Sequence, residues 1–338
     1  MSIFVDQSLV GHVREFNINR IRSARKGILK WMKRVLIFIC IWATACTAPA
    51  TSTPTIELSE PTVEIIYNPT LTPSPVVTPT NIPATKKPTI TPILQTIKLD
   101  PADWKNWPVI PTVDSSLQKI YERGLSLGND PHSFSIFGDC QTQPDEFFGV
   151  FETDPTTLLF LSPELRETID NFEGSFNREA STTQDGTTPG ALLWTQWHRG
   201  EYGCTFAETP VECELRTHRP SFVIIQVGTH FESRNTEYLR KIILQLMDEG
   251  VVPILATKAD NREKDERVNR DMALLASEYD LPLWNFWASV SDLPNRGLYT
   301  RKDRPLQGDI YLTDDAERIH RNTGLEALDA VWRAVTGK

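Results

Sequence analysis

The sequence predicts an α/β domain in which a mainly parallel sheet lies between two layers of helices. Uninterrupted apolar runs, such as residues 222–228 and 251–256, are typical of strands that are buried on both faces. Stretches with apolar residues at helical spacing alternate with these runs from about residue 98 to the last residue. This alternation favours a three-layer α/β/α arrangement.

Each predicted element follows from its own spacing and its own end signals. Glycines close two of the helices, and Pro131 follows the first of them closely. In chain order we predict a helix that ends before Gly128, a strand at 134–138, an irregular stretch at 144–180, a strand at 222–228, a helix that ends at Gly250, a strand at 251–256, a helix around 268–275, a strand at 283–287 and a last helix around 325–335.

The N-terminal residues 1–45 have the composition of an export signal. Three basic residues at 30–34 precede an apolar run at 35–45, which is too short to span a bilayer. Small residues then lead directly to Cys46, as at the lipid-modified cysteine of bacterial lipoproteins. Met32 is a second candidate start. We therefore expect an exported protein of the cell envelope or cell surface that is lipid-anchored at Cys46, with plain signal cleavage near Ala45 as the alternative.

A tether is predicted between the anchor and the folded part. Residues 47–96 contain 13 Thr and 10 Pro, and so much proline favours extended polyproline II over a packed core. We therefore divide the chain into a signal at 1–45, an anchor and tether at 46–97, and an α/β domain at 98–338.

The charge of the chain restricts its partners. Of the 35 basic and 44 acidic residues, 8 and 2 lie in residues 1–45, which leaves a net charge of −15 for residues 46–338. Such an acidic body is a poor partner for nucleic acid and for anionic lipid headgroups. We expect membrane contact only through the lipid anchor, and a monomer.

Cysteine spacing predicts one disulfide and one odd thiol. Cys204 and Cys213 are nine residues apart, and in an oxidising compartment they are expected to close a loop. No further ligands flank them at close spacing, so no metal site is expected there. Cys140 is left over, as either a packed small hydrophobe or a reactive group.

Four sequence blocks fall where strands are predicted to end, which is where sites form in open α/β sheets. The first is Gly138–Cys140, read Gly-Asp-Cys, directly after a strand. The second surrounds Gly186 and the third is Gly228-Thr-His230. The fourth, at 314–320, carries Asp315, Glu317 and His320 ahead of a final amphipathic helix.

These blocks, in this order, resemble those of the SGNH (GDSL-like) hydrolases. The likeness spans about residues 133–335, but Cys140 stands where that family has Ser, His230 where it has Asn, and Glu317 where it has Asp. The resemblance implies the flavodoxin-like fold of the SGNH hydrolases, hydrolysis of a small acyl ester or of an acylated extracellular glycan, and no cofactor.

The resemblance also implies roles for the residues of the blocks. Cys140 would be the nucleophile, with its pKa lowered by the N-terminus of a following helix, and His320 the base. Glu317, or failing that Asp315 or the adjacent Asp314, would orient His320. The oxyanion hole would combine the N–H groups of Cys140 and Gly186 with a ring N–H of His230, supported by Asp139 and Gly228.

Other interpretations of the same residues stay open. Cys140 at a strand end is also typical of core packing, His320 could be an exposed surface histidine, and Gly186 a turn residue. The alternative to a hydrolase is a catalytically silent domain of the same fold that binds a glycan or a cell-wall component. A structural role in an envelope assembly ranks last, because no heptad pattern supports it.

Overall fold

A computed structural model describes residues 99–338. The predicted signal, the anchor at Cys46 and the tether lie outside the described residues. The helices and strands in chain order are α1 Ser116–Leu127, β1 Asp130–Gly138, α2 Val150–Thr153, α3 Pro163–Asn171, α4 Pro189–Leu192, α5 Pro210–His218, β2 Pro220–Gln226, α6 Asn235–Asp248, β3 Val252–Ala256, α7 Arg267–Tyr279, β4 Leu283–Trp284, α8 Phe286–Ser289, β5 Leu298–Tyr299, β6 Tyr311–Leu312 and α9 Asp314–Thr336.

The predicted α/β architecture is confirmed. Four parallel strands form one sheet in the order β1-β2-β3-β4. All seven residues of β2 are buried, as predicted for a strand that is covered on both faces. Helices α1 and α9 pack against each other, while α6 and α7 pack against each other and against β3.

The order in which the chain adds strands to the sheet changes side at β1. After β1, Thr183 forms a single parallel bridge with Gly138 at the outer edge. The chain then crosses to the other side of β1 to form β2. Such a reversal opens a crevice at the carboxyl ends of the strands, which is where ligands bind in open α/β sheets. Cys140 follows β1 at this point.

The core on the α1 and α9 side is built largely from aromatic rings. Phe222 of β2 stacks on Tyr121 of α1, and it meets Phe172 edge to face. Phe172 in turn contacts Trp332 of α9. Because alternate residues of a strand face the same side, Gln226 points into this same layer. That orientation matters for the candidate site.

Three parts of the fold differ from the sequence prediction. The stretch at 144–180 contains α2 and α3, and the strand expected at 283–287 ends at Trp284. A two-stranded antiparallel ribbon, β5 with β6, precedes the last helix. Strands of two residues are too short to show an alternation pattern, so no local signal predicts this ribbon.

The predicted disulfide is confirmed. Cys204 and Cys213 are bonded, with 5.2 Å between their Cα atoms. Cys213 lies in α5, whose first turn is closed by a capping box between Thr209 and Glu212. The bond therefore fastens the preceding loop to a helix that packs on β1.

Replacing both Cys204 and Cys213 by Ala should lower the free energy of unfolding by about 2–3 kcal/mol, because the cross-link restricts a loop of about ten residues in the unfolded chain. Urea unfolding of the variant measures this, and the wild-type protein under reductant should show the same loss. An unchanged urea midpoint in both would contradict the expectation.

None of the helices described at residues 99–338 is long and apolar enough to cross a membrane.

Candidate active site

The carboxylate of Asp139 joins the first and third blocks. Its Oδ2 atom accepts hydrogen bonds from the backbone N–H groups of Gly228 (3.1 Å) and Thr229 (2.9 Å). Gly138 must be glycine here, since a Cβ would lie 1.9 Å from Thr142 Oγ1. Gly228 has φ +136°, a conformation that favours glycine. The ends of β1 and β2 are therefore locked together, with Asp139 and Gly228 in contact.

A buried cluster of charged side chains follows β3, next to the contact between Asp139 and Gly228. Lys258 Nζ is 2.7 Å from Asp260 Oδ1 and 2.6 Å from Glu263 Oε2, and all three side chains are almost fully buried. Burial, followed by the charge of Asp260, raises the pKa of Asp139. Thr229 Oγ1 bonds Asp260 at 3.4 Å, so the cluster also contacts the third block. We did not predict it, although a lysine and two acids directly after a buried strand were a usable signal.

Cys140 is a buried thiol, not a thiolate. Its residue is 8 % exposed, and Sγ lies 4.0 Å from Asp139 Oδ1. Burial first, and then the charges of Asp139, Asp185 and Asp260, raise the thiol pKa far above its ordinary value. The residues that follow form turns, and the next helix is the four-residue α2. The expectation that a helix N-terminus lowers this pKa is therefore wrong.

His320 occupies a place different from the one the resemblance implied. It is fully buried within α9, and its ring packs against Phe147, Trp284 and Phe286. It is therefore not an exposed surface histidine either. Burial first, and then the charge of Arg321, hold its pKa well below 6.5, so the imidazole is neutral.

The imidazole ring of His320 makes one hydrogen bond to the described residues, and this bond fixes its tautomer. Nε2 lies 2.6 Å from Gln226 Oε1. The amide nitrogen of Gln226 donates to Thr257 O, so its oxygen faces the imidazole and His320 Nε2 carries the proton. Nδ1 is buried with no partner among the described residues. Neither ring nitrogen bonds Cys140, so the predicted nucleophile–base pair is not assembled.

The acids expected to orient His320 are engaged elsewhere. Glu317 pairs with Arg321 at 3.4 Å, and the highly exposed Asp315 pairs with Arg318 at 3.1 Å. Both acids, with Asp314, belong to the first turn of α9, where negative charge is favoured by the helix dipole. The proposed orientation of His320 by Glu317 or Asp315 is wrong in this structure.

The fourth block is therefore displaced. The resemblance requires an Asp-x-x-His sequence ahead of the last helix, but α9 already begins at Asp314. An acid three residues before the helix-flanking position is found at Asp309, ahead of α9. The residue three positions after Asp309, where Asp-x-x-His has its histidine, is Leu312. Leu312 is buried in β6 and offers no proton acceptor.

The other two oxyanion candidates lie close to the junction. Gly186 adopts φ +85° in a turn that is closed by a hydrogen bond from Thr187 Oγ1 to Gln184 O. Thr188 then caps the N-terminus of the short helix α4. His230 is half-buried, and its electrostatic interaction with the Asp139 carboxyl lowers the pKa of Asp139, against the effect of burial. Its Nδ1 atom has no partner within residues 99–338.

The connection between β5 and β6 is fastened to the candidate site at two points. Arg304 forms an ion pair with Asp185 at 2.7 Å, next to Gly186. Gln141, next to Cys140, donates from Nε2 to Ile310 O at 2.6 Å. This connection holds the loops of the first and second blocks together.

A cleft of about 270 Å³ opens beside these loops at the outer edge of β1. Tyr202 contributes a partly exposed ring, and Asp145 and Glu179 contribute exposed carboxylates. The amide side chains of Gln143, Asn177 and Gln184 and the hydroxyl of Thr183 also line it. In this described part of the chain the lining carries two acids and no basic residue, which suits a hydroxyl-rich or cationic ligand.

Neither a protein-family model nor a curated protein sequence matches the chain. Among solved structures, a GDSL-like lipase from Bacteroides thetaiotaomicron is 14 % identical, with a TM-score of 0.38, over 64 % of this chain and 98 % of the lipase. A protein from Bacteroides fragilis, described as a "putative acylhydrolase", is 13 % identical with the same coverage and TM-score. Both descriptions belong to the class that the sequence blocks resemble, but likeness at this level assigns no activity to this chain.

The state of Cys140 predicts slow alkylation. With iodoacetamide at pH 8, the peptide that contains Cys140 should react at least about a hundredfold more slowly in the native protein than in guanidinium, because only the thiolate attacks and the side chain is covered. Mass spectrometry of that peptide gives both rates. Complete labelling of the native protein at the unfolded rate would contradict the account.

Proposed function

We propose that the domain is a ligand-binding module that binds a polar glycan or cell-wall component outside the cell and does not hydrolyse it. The observation that carries this proposal is the engagement of His320 with Gln226 inside an aromatic cluster. Acyl transfer by Cys140 needs a base that takes the thiol proton and later returns it, and among the described residues the Cys140 sulfur bonds only Asp139 Oδ1, at 4.0 Å, and no histidine.

The cleft beside β1 supports the binding part of the proposal. Aromatic and amide side chains are typical of sites for hydroxylated ligands, since a ring covers an apolar face and amides both donate and accept. The carboxylates of Asp145 and Glu179 add strong acceptors for sugar hydroxyls. The location of the cleft at the reversal point of the sheet agrees with this role.

The proposed setting is the cell envelope. The signal pattern and Cys46 are those expected of a lipid-anchored exported protein, and the Cys204–Cys213 disulfide is suited to an oxidising compartment. A proline-rich tether would hold the domain away from the membrane, where a polymer is accessible.

Binding assays with purified protein test the proposal. We expect insoluble cell-wall material or an acetylated polysaccharide to bind wild type, and the double variant Asp145→Asn/Glu179→Gln to bind at least about tenfold more weakly. Glu237→Gln, an exposed carboxylate on α6, is the matched control. Absence of binding to every polysaccharide, or equal binding by the cleft variant, would contradict the proposal.

Hydrolysis of a small acyl ester or an acylated glycan is the second candidate. One observation favours it: the contact of Asp139 with Gly228 and Thr229 brings the first and third blocks together in the way the resemblance implies. Acetate release by wild type and by variants of Cys140 separates the two functions.

A further inference from the structure

A second groove lies at the carboxyl ends of β3 and β4, away from the cleft beside β1. It has a volume of about 650 Å³. One wall is the 3₁₀ turn Pro101–Asn106, the first element of the described chain, and the others are the start of α7 and the short helix α8. Asn285, directly after β4, pins the turn by donating to the carbonyls of Trp104 and Trp107.

Two tryptophans and an acid in this groove surround an ammonium group. Trp104 and Trp287 meet edge to face, with 5.1 Å between ring centroids. Lys105 Nζ lies 5.6 Å from the Trp104 ring and 5.1 Å from the Trp287 ring. The same nitrogen is 2.5 Å from Glu266 Oε2. Aromatic faces together with a carboxylate are the groups that recognise organic ammonium ions in proteins.

The ammonium group between the two tryptophans belongs to Lys105, a long side chain with several rotatable bonds. The Lys105 side chain is 45 % exposed, so it has access to solvent and can leave the rings at a modest cost. Its departure would leave Glu266 without its lysine partner, in a lining where Asp103 adds a second acid, Arg270 is the other basic residue and Asp265 pairs with Arg267 at 3.6 Å. The emptied groove would attract a cation, in a body that is already strongly acidic.

We propose that this groove is a binding site for a ligand that carries an organic ammonium group, which displaces Lys105 from Trp287 and Glu266. Lys105 then acts as an internal competitor that occupies the site in the free protein. A free amino sugar and a choline-type headgroup both carry such an ammonium, and titration with each separates these two sources.

Removal of the competitor gives the sharpest test. Titrations of the purified protein with choline chloride and with glucosamine are followed by the indole N–H resonance of Trp287, which is assigned with Trp287→Phe. If Lys105 occupies the site about nine-tenths of the time, Lys105→Met should tighten binding about tenfold. Lys302→Met, which removes an exposed positive charge elsewhere, is the charge-matched control and should change binding less than twofold.

Two further comparisons decide whether the ammonium is what is recognised. N-acetylglucosamine, in which the amine is neutralised, should bind at least about tenfold more weakly than glucosamine to Lys105→Met. Glu266→Gln in the same background should weaken binding of both cations at least about threefold. Preference for glucosamine over choline identifies an amino sugar as the source, and the reverse preference a quaternary headgroup.

The proposal is overturned if Lys105→Met gains no more than Lys302→Met, or if N-acetylglucosamine binds as well as glucosamine. In either case Lys105 only clamps the first turn onto α7. These outcomes are independent of the cleft variants at Asp145 and Glu179, so failure here leaves the proposed binding function intact.

Discussion

Lys258→Met should lower the free energy of unfolding by about 3–5 kcal/mol, the largest single-site effect that we expect in this domain. The side chains of Lys258, Asp260 and Glu263 are between 0 and 2 % exposed. Loss of the ammonium would leave two carboxylates buried without a counter-charge, and Glu263 Oε1 already has no partner in the described structure. Urea unfolding at neutral pH measures the loss.

Two further variants separate this effect from the simple loss of a lysine side chain. Lys241→Met removes a lysine that pairs with Glu237 on the exposed face of α6, and it should change stability by less than about 0.5 kcal/mol. Combining Lys258→Met with Asp260→Asn and Glu263→Gln should recover part of the loss, because the uncompensated charges are removed. If Lys258→Met cost no more than Lys241→Met, the buried cluster would contribute nothing to stability.

His320 should make the domain less stable as the pH falls below about 6.5. Its pKa in the folded protein lies well below the ordinary value, so the unfolded chain binds the extra proton first. Stability from this residue is complete above the unfolded pKa, and it decreases by about 1.4 kcal/mol per pH unit below it until the folded pKa is reached. At pH 5.5 the expected loss is therefore about 1.4 kcal/mol.

Comparison with His320→Phe isolates this contribution. Asp139, whose pKa is raised, acts in the opposite direction, since its contribution is lost as the pH rises through its folded pKa. Subtracting the stability profile of His320→Phe from that of wild type between pH 5 and 8 removes such background. His132→Gln, at an exposed position, is the control. A difference profile that stays flat would show that His320 can be protonated in the folded protein.

The sheet and the disulfide could be predicted from sequence because each rests on local signals. The apolar runs at 222–228 and 251–256 became β2 and β3 within two residues at each end. The Gly-Asp-Cys and Gly-x-His blocks both follow strands, so their meeting at Asp139 and Gly228 follows from parallel strand order.

The failure at the fourth block has a physical cause. A histidine three residues after an acid suits both a catalytic loop and a helix, and the acid-rich stretch from Asp314 is also a favourable helix start. The helix begins there and carries His320 inward, where Phe147, Trp284 and Phe286 surround it. Contacts between residues that lie far apart along the chain cannot be predicted from local spacing. The burial of Cys140 could not be predicted for the same reason.

The most direct test of the central claim is acetyl release from an acetylated polysaccharide by wild type, Cys140→Ala and Cys140→Ser. With the Cys140 thiol protonated and no histidine bonded to it, all three proteins should release acetate at the rate of the uncatalysed reaction while wild type still binds the polymer. Release by wild type that disappears in Cys140→Ala, or a clear gain in Cys140→Ser, would contradict the account and establish a working hydrolase.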